Sequence, residues 1–149
     1  MDGVRAYWNF NQLVSRHGNS IPCPHWFTSA FPSDVTLDGE LWLGQGTTFE
    51  DMNAVIKSNT SDWSGVRYYV FDIPSSAGPY EMRMKQMEAI KSVSPQIQIV
   101  QNKRCQGREH LFIYLDSIVA GKGEGIVLRE PQSVYVVGPS SSLLKAKVL

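Results

Sequence analysis

The sequence predicts an α+β domain in which antiparallel or mixed sheets are flanked by helices. Alternating apolar and polar residues, typical of half-buried strands, occur towards both ends of the chain. Helical periodicity is concentrated between them. A chain of 149 residues with 42% apolar residues is large enough for one domain with its own core.

The first elements are expected to be strands joined by turns and loops. Residues 4–16 alternate in polarity around a turn near residues 9–11, which predicts a β-hairpin. Residues 18–32 are rich in Pro, Gly, Ser and aromatic side chains, and predict a loop with one short helical turn at 24–31. The strand pattern resumes at residues 36–43.

A capping-box motif predicts the start of the next helix. Thr47 and Glu50 have the spacing of that motif, and the apolar residues that follow share one helical face, so we predict a helix over residues 48–58. Residues 66–73 are aromatic and β-branched and end at Pro74, which predicts a buried strand.

The second half of the chain continues with helices and then strands. We predict helices over residues 80–93 and from about Leu111 to Gly121, with a short strand at 97–101 between them. Three closing strands are expected at residues 125–129, 134–137 and 143–149.

The charge balance, the cysteine content and the length of the apolar runs exclude several classes of protein. Fourteen basic and fourteen acidic side chains cancel, so tight DNA binding by this chain alone is not expected. Cys23 and Cys105 fit neither a zinc motif nor a disulfide framework, and we interpret them as packing residues in a reducing, intracellular compartment. No apolar run is long enough to span a membrane, and we expect a soluble monomer.

Several short motifs follow one another along the chain. Each has a structural explanation when taken singly: a turn, a packed aromatic residue or a charged strand edge. Their order is more specific than any one of them. The motifs are Asp2-Gly3-Val4-Arg5, Leu37-Asp38-Gly39-Glu40, Tyr68-Tyr69-Val70-Phe71-Asp72-Ile73-Pro74, Gly123-Glu124-Gly125-Ile126-Val127 and Lys145-Ala146-Lys147.

This ordered set resembles the adenylation domain of ATP-dependent DNA ligases, most closely the small bacterial and viral-type enzymes. The resemblance spans nearly the whole chain and implies an ATP-grasp-like nucleotidyltransferase fold. RNA ligases and mRNA capping enzymes share this chemistry but match less well. Fold resemblance does not by itself fix activity, which depends on the residues of the site.

The resemblance implies roles for the nucleoside-binding residues. Arg5 would contact the nucleotide, the Glu40 carboxylate would accept from a ribose hydroxyl, and the Phe71 ring would lie on adenine. Without the flanking motifs, Phe71 would be interpreted as a core residue.

Further roles concern phosphates and metal. Glu124 would help to hold Mg²⁺ or Mn²⁺ beside ATP, and Lys145 and Lys147 would act catalytically by neutralising the α-phosphate. Ser15-Arg16-His17-Gly18 resembles the element whose arginine grips the 5′-phosphate of a nick. The alternatives are a bulged strand with an exposed Glu124, edge lysines that discourage aggregation, and a solvated Arg16.

Two parts of the family pattern lie outside this sequence. The nucleophilic lysine of the first motif is expected just before Met1, and the oligonucleotide-binding (OB) barrel would follow the last motif, so residues 1–149 are interpreted as a partial adenylation domain. One hypothesis is a ligase that seals nicked duplex DNA through enzyme-AMP and DNA-AMP intermediates. The alternative is a catalytically silent homologue that binds ATP or a nick.

Overall fold

The computed structural model describes residues 2–58, 62–100, 106–120, 125–129, 135 and 143–147. Within these ranges the chain alternates between strands and helices. The elements are β1 (Val4–Trp8), β2 (Leu13–Val14), α1 (His25–Thr28), β3 (Leu37–Trp42), α2 (Phe49–Lys57), β4 (Arg67–Asp72), α3 (Tyr80–Val93), β5 (Ile97–Ile99), α4 (Arg108–Ala120), β6 (Gly125–Arg129) and β7 (Leu143–Lys147).

The strands form two sheets. Strands β1 to β5 make a five-stranded sheet in the order β2-β1-β3-β4-β5. Its first three pairings are antiparallel, whereas β5 runs parallel to β4 and is reached through helix α3. Strands β6 and β7 form a separate antiparallel pair. The predicted α+β class with mixed sheets and flanking helices is therefore confirmed.

One face of the five-stranded sheet carries the core. Because side chains alternate along a strand, every second residue of β1, β3 and β4 points to the same side. These residues pack against side chains from the helices and the long loops, and the core includes Trp8, Leu37, Leu41, Tyr68, Val70, Phe27, Phe31, Met52, Trp63 and Met87. The fully buried Tyr68 hydroxyl donates to the carbonyl oxygens of Ala6 and Leu37, at 2.8 and 3.3 Å.

Most predicted elements are observed within a few residues of their expected bounds. The predicted hairpin is formed by β1 and β2, and the Asn9 side chain accepts the Gln12 N–H in the turn between them. Helix α3 and strand β6 begin and end where the sequence places them. The strand predicted at residues 134–137 falls on a segment of which only Tyr135 is described, and Cys105 lies outside the described residues.

The capping box of α2 is one residue later than predicted. Thr48, not Thr47, accepts the N–H of Asp51 at 3.2 Å, and the Asp51 carboxylate accepts the N–H of Thr48 at 2.8 Å. The hydroxyl of Thr47 instead donates to the Gly44 carbonyl at 2.5 Å. Thr-Thr followed by Glu-Asp offers two overlapping capping boxes, and the sequence pattern does not distinguish them.

Replacing Thr48 by alanine is expected to lower the free energy of unfolding by about 1 kcal/mol, because the first turn of α2 loses its side-chain cap. Glu50→Ala, which removes the carboxylate of the capping box predicted from sequence, is expected to lower the free energy of unfolding by only about 0.5 kcal/mol, the interaction of one exposed charge with the helix dipole. Urea unfolding followed by circular dichroism would compare the two variants. A larger loss for Glu50→Ala than for Thr48→Ala would contradict the observed cap.

Candidate functional site

The face of the five-stranded sheet opposite the core carries polar and aromatic side chains. In β1 these are Arg5 and Tyr7, in β3 Asp38 and Glu40, and in β4 Phe71. Strand pairing places Arg5 opposite Glu40 and Tyr7 opposite Asp38. Three residues predicted from distant motifs, Arg5, Glu40 and Phe71, therefore lie on one surface.

Arg5 is held at this surface by a carboxylate. Its Nε and Nη2 atoms donate to the two oxygens of Asp38, at 3.1 and 2.6 Å, which is the bidentate geometry that a guanidinium favours. The hydrogen bond to Asp38 raises the pKa of the Arg5 guanidinium, so Arg5 stays charged. Because 49% of the Arg5 side chain remains exposed, the group is fixed in direction and still accessible to a ligand.

Two aromatic rings flank the same guanidinium. The centre of the Arg5 guanidinium lies 5.4 Å from the ring centroid of Tyr7 and 5.3 Å from that of Phe71. These distances are within the range of cation–π attraction. Phe71 is half-buried, so part of its ring is open to solvent. The surface thus combines a positive charge with an accessible aromatic ring.

A β-bulge places Phe71. Gly39 pairs with Val70, whereas the preceding residue Asp38 pairs with Asp72, so β4 contributes one extra residue at this point. That residue is Phe71. Bulges of this kind redirect side chains and are frequent beside active sites. The sequence pattern predicted the strand but did not contain a signal for the bulge.

Glu40 of β3 lies directly across from Arg5 of β1. Its Oε2 atom accepts the backbone N–H of Gly3 at 3.1 Å, which ties the first motif to the third. A carboxylate has two oxygens with several acceptor positions, so this bond does not exhaust its capacity to accept from a hydroxyl. Glu40 is half-buried and belongs to the same surface as Arg5.

Gly39 has a structural reason to be glycine. A Cβ at this position would lie 2.5 Å from the Tyr69 carbonyl oxygen and 2.9 Å from the Tyr68 ring. Real Cβ atoms do not approach neighbours so closely. Contacts within the sheet therefore require glycine here.

Tyr135 was not among the predicted site residues. Its hydroxyl donates to Oδ2 of Asp38 at 2.9 Å, on the same carboxylate oxygen that Arg5 Nη2 contacts. Burial, followed by the charge of Asp38, raises the pKa of Tyr135, so its hydroxyl stays protonated and remains a donor. The two residues are 97 positions apart, and no local pattern relates them.

Asp72 forms a second group of contacts that the sequence did not reveal. This fully buried carboxylate accepts from Arg83 Nε at 2.5 Å and from Arg129 Nη1 at 2.7 Å. Arg83 also donates to the Gly78 carbonyl oxygen at 2.6 Å. Asp72 follows Phe71 directly, so the bulged residue is next to a buried ion cluster.

The phosphate and metal residues predicted from sequence are only partly described. Lys145 and Lys147 lie on β7, two residues apart, and pair in the backbone ladder with Val127 and Gly125. Glu124 lies outside the described residues and directly precedes Gly125.

Arg16 lies apart from this group, in the turn after β2. The turn is closed by hydrogen bonds from Gly18 N–H to the Ser15 carbonyl oxygen and from Ser15 N–H to the Asn19 carbonyl oxygen, at 2.9 and 2.8 Å. Arg16 is exposed at its tip.

Among the described helices, none has the length and apolar character needed to cross a bilayer.

These elements define a domain of the nucleotidyltransferase type: a mixed sheet with flanking helices whose second face presents Arg5, Glu40 and Phe71. The family model "ATP dependent DNA ligase domain" matches residues 1–147. The chain belongs to this family, and its fold is that of the ligase adenylation domain.

Individual relatives agree with this assignment. A DNA ligase of Haemophilus influenzae is 33% identical over 150 residues, which cover 99% of this chain and 55% of the relative. A solved structure from a structure-function study of Lig E DNA ligases superposes with a TM-score of 0.90 at 30% identity, covering 99% of this chain and 59% of that one. The chain therefore spans little more than half the length of these relatives.

A viral structure shows the same fold. The Chlorella virus DNA ligase-adenylate superposes with a TM-score of 0.80 at 25% identity, covering 99% of this chain and 58% of that one. The recognition of the ligase adenylation domain from its motifs is confirmed.

Proposed function

We propose that this chain binds ATP on the face formed by β1, β3 and β4, as part of a protein that seals nicks in duplex DNA. The observation that carries the proposal is the convergence of Arg5, Glu40 and Phe71 on that face. Membership of the ATP-dependent DNA ligase family supports the same function.

The nucleoside would be held by complementary contacts. The open part of the Phe71 ring offers a surface for adenine, because an aromatic ring and a base attract each other through stacking. The Glu40 carboxylate accepts from ribose hydroxyls, and Arg5 donates from a direction fixed by Asp38.

The triphosphate would be held by the small sheet of β6 and β7. Lys145 and Lys147 would neutralise the α-phosphate, where negative charge builds up as pyrophosphate leaves. Arg5 and the two lysines supply positive charge from both sheets of the domain.

A divalent cation would be held through Glu124. In the part of the chain that the structure describes, there is no group of three His, Cys, Asp or Glu side chains that could hold a metal ion. Mg²⁺ commonly uses one or two carboxylates together with waters and phosphate oxygens, and Glu124 next to Gly125 fits that requirement. Mg²⁺ or Mn²⁺ would contribute neutralisation of phosphate charge.

The reaction would join two DNA ends. An enzyme-AMP intermediate, formed as ATP releases pyrophosphate, would pass AMP to the 5′-phosphate of a nick, and the 3′-hydroxyl would then displace AMP. We propose that Arg16, exposed in its turn, contacts the 5′-phosphate. An OB domain elsewhere in the full-length protein would clamp the duplex, in keeping with the absence of net positive charge in this chain.

ATP binding by the chain tests the nucleoside site. Phe71→Leu is expected to weaken ATP affinity about tenfold, because stacking on a base is worth roughly 1–3 kcal/mol. The control is Phe112→Leu, which makes the same change at an exposed position of α4. Isothermal titration calorimetry in Mg²⁺ would measure both variants.

Sealing of a nick that already carries 5′-AMP tests the remaining chemistry, because this step does not require a lysine nucleophile. Sealing together with ATP binding supports a ligase. ATP binding without sealing, in this chain and in the full-length protein, supports the silent binding homologue. Equal ATP affinity in Phe71→Leu and wild type contradicts the proposed site.

A further inference from the structure

Two acidic side chains lie opposite each other in the five-stranded sheet. Asp38 of β3 and Asp72 of β4 are backbone partners, and only 1% and 0% of these residues are exposed. Like charges at directly opposite positions destabilise a sheet, and buried charges are costly without partners. This carboxylate pair, Asp38 and Asp72, therefore depends on the groups that donate to it.

Asp72 is already neutralised by a residue of the nearest helix. Arg83 of α3 is itself fully buried and donates to both carboxylate oxygens of Asp72, at 2.5 and 3.2 Å. The backbone N–H of Ile73 donates to the Oδ1 atom at 2.8 Å. One guanidinium balances one carboxylate, so charge balance at Asp72 does not require a second arginine.

Arg129 is nevertheless bound to the same carboxylate. It is the last residue of β6, and its Nη1 atom donates to Asp72 Oδ2 at 2.7 Å. Its guanidinium also lies 4.4 Å from the ring centroid of Tyr80, at the start of α3. Arg129 thus connects the small sheet to the five-stranded sheet through an ion pair, and to helix α3 through a cation–π contact.

The small sheet needs such connections. Among the residues that the structure describes, β6 and β7 pair with each other and with no further strand, and a two-stranded sheet is marginally stable by itself. Tyr135, which lies in the connection between these strands, donates to Asp38. Arg129 and Tyr135 therefore attach the same segment of chain to the two members of the carboxylate pair.

We propose that Arg129 is a positioning residue for nucleotidyl transfer: its ion pair with Asp72 seats β6, and with it the strand that carries Lys145 and Lys147, against the surface formed by Arg5 and Phe71. The proposal rests on the proposed function for its chemical meaning. Lys145 pairs with Val127 only two residues before Arg129, so movement of β6 transmits directly to β7.

Hydrogen exchange tests the seating itself and does not depend on activity. In the intact chain, Arg129→Gln is expected to raise amide exchange in residues 125–129 and 143–147 by about tenfold, since a hydrogen bond to a charged group is lost. Exchange in β1, β3 and β4 is expected to stay as in wild type. The control is Arg108→Gln, which removes the same charge at the exposed start of α4.

Ligand affinities test the positioning. The ratio of the adenosine Kd to the ATP Kd, measured by calorimetry, reports the contribution of the phosphates. In Arg129→Gln this ratio is expected to fall about tenfold, because the lysines are displaced while the nucleoside site is kept. Arg129→Lys is expected to restore part of the ratio, and Arg108→Gln to leave it unchanged.

Each outcome supports or overturns the proposal. Faster amide exchange confined to β6 and β7, together with a lower ratio of the adenosine Kd to the ATP Kd in Arg129→Gln, supports it. Unchanged exchange, or exchange raised equally throughout the sheet, overturns it, as does a parallel loss of ATP and adenosine affinity. Failure of the wild-type chain to bind ATP would refute the proposed function, and the exchange data would still decide whether Arg129 seats β6.

Discussion

Replacing Asp72 by alanine is expected to lower the free energy of unfolding by about 3–5 kcal/mol, because it leaves the buried Arg83 guanidinium without its carboxylate. Arg83 and Asp72 are both fully buried, so water does not replace the lost partner. A loss of this size is a large part of the stability of a typical domain. Urea unfolding monitored by tryptophan fluorescence would measure it.

Comparing Asp72→Ala with a surface variant and with a double variant identifies the cause of the lost stability. Asp34→Ala removes an acid from an exposed loop and is expected to have no measurable effect on stability. The double variant Asp72→Leu with Arg83→Met removes the charge together with its main partner, and is expected to recover much of the stability. If Asp72→Ala is as stable as Asp34→Ala, the buried ion pair does not stabilise the fold.

Replacing Asp38 by asparagine is expected to weaken ATP affinity at least tenfold. The Arg5 guanidinium would lose its charged partner, and a hydrogen bond to a charged group contributes roughly 1.5–3 kcal/mol. Tyr135 would still find an acceptor in the asparagine oxygen, so the connection between the sheets would be weakened but kept. Calorimetric titration with ATP, on protein whose folding is verified by circular dichroism, measures the effect.

A variant of Tyr135 distinguishes the contribution of Tyr135 to ATP affinity from that of Arg5, the other side chain that donates to Asp38. Tyr135→Phe removes a single hydroxyl and is expected to weaken ATP affinity by no more than about tenfold, the effect of one ordinary hydrogen bond. Asp116→Asn, an equivalent change on the exposed side of α4, serves as the control. Wild-type ATP affinity in Asp38→Asn would mean that the direction of Arg5 does not govern nucleotide binding.

Much of the fold could be predicted because it depends on local periodicity. Alternation of side chains located β1, and aromatic and β-branched composition located β4. A capping box and helical periodicity located α2, and helical periodicity located α4. The resemblance to ligases selected Arg5, Glu40 and Phe71, which the structure brings together. The roles of Lys145, Lys147, Arg16 and Glu124 remain predictions.

What could not be predicted depends on contacts between distant residues. Arg129 and Tyr135 are 57 and 97 positions from the carboxylates that they bind, and their own neighbours in sequence carry no sign of these partners. The bulge at Phe71 depends on how β4 aligns with β3, not on the composition of either strand. The cap at Thr48 was missed because two adjacent threonines offered the same motif.

The separation in sequence between the two sheets implies an order of assembly. All strands of the five-stranded sheet lie between residues 4 and 99, so this sheet contains all of its own partners before β6 is needed. Closing the longer loops to Arg129 and Tyr135 costs additional chain entropy. We therefore expect the five-stranded sheet to form first during synthesis, with Asp38 and Asp72 already in place as a template onto which the last part of the chain folds.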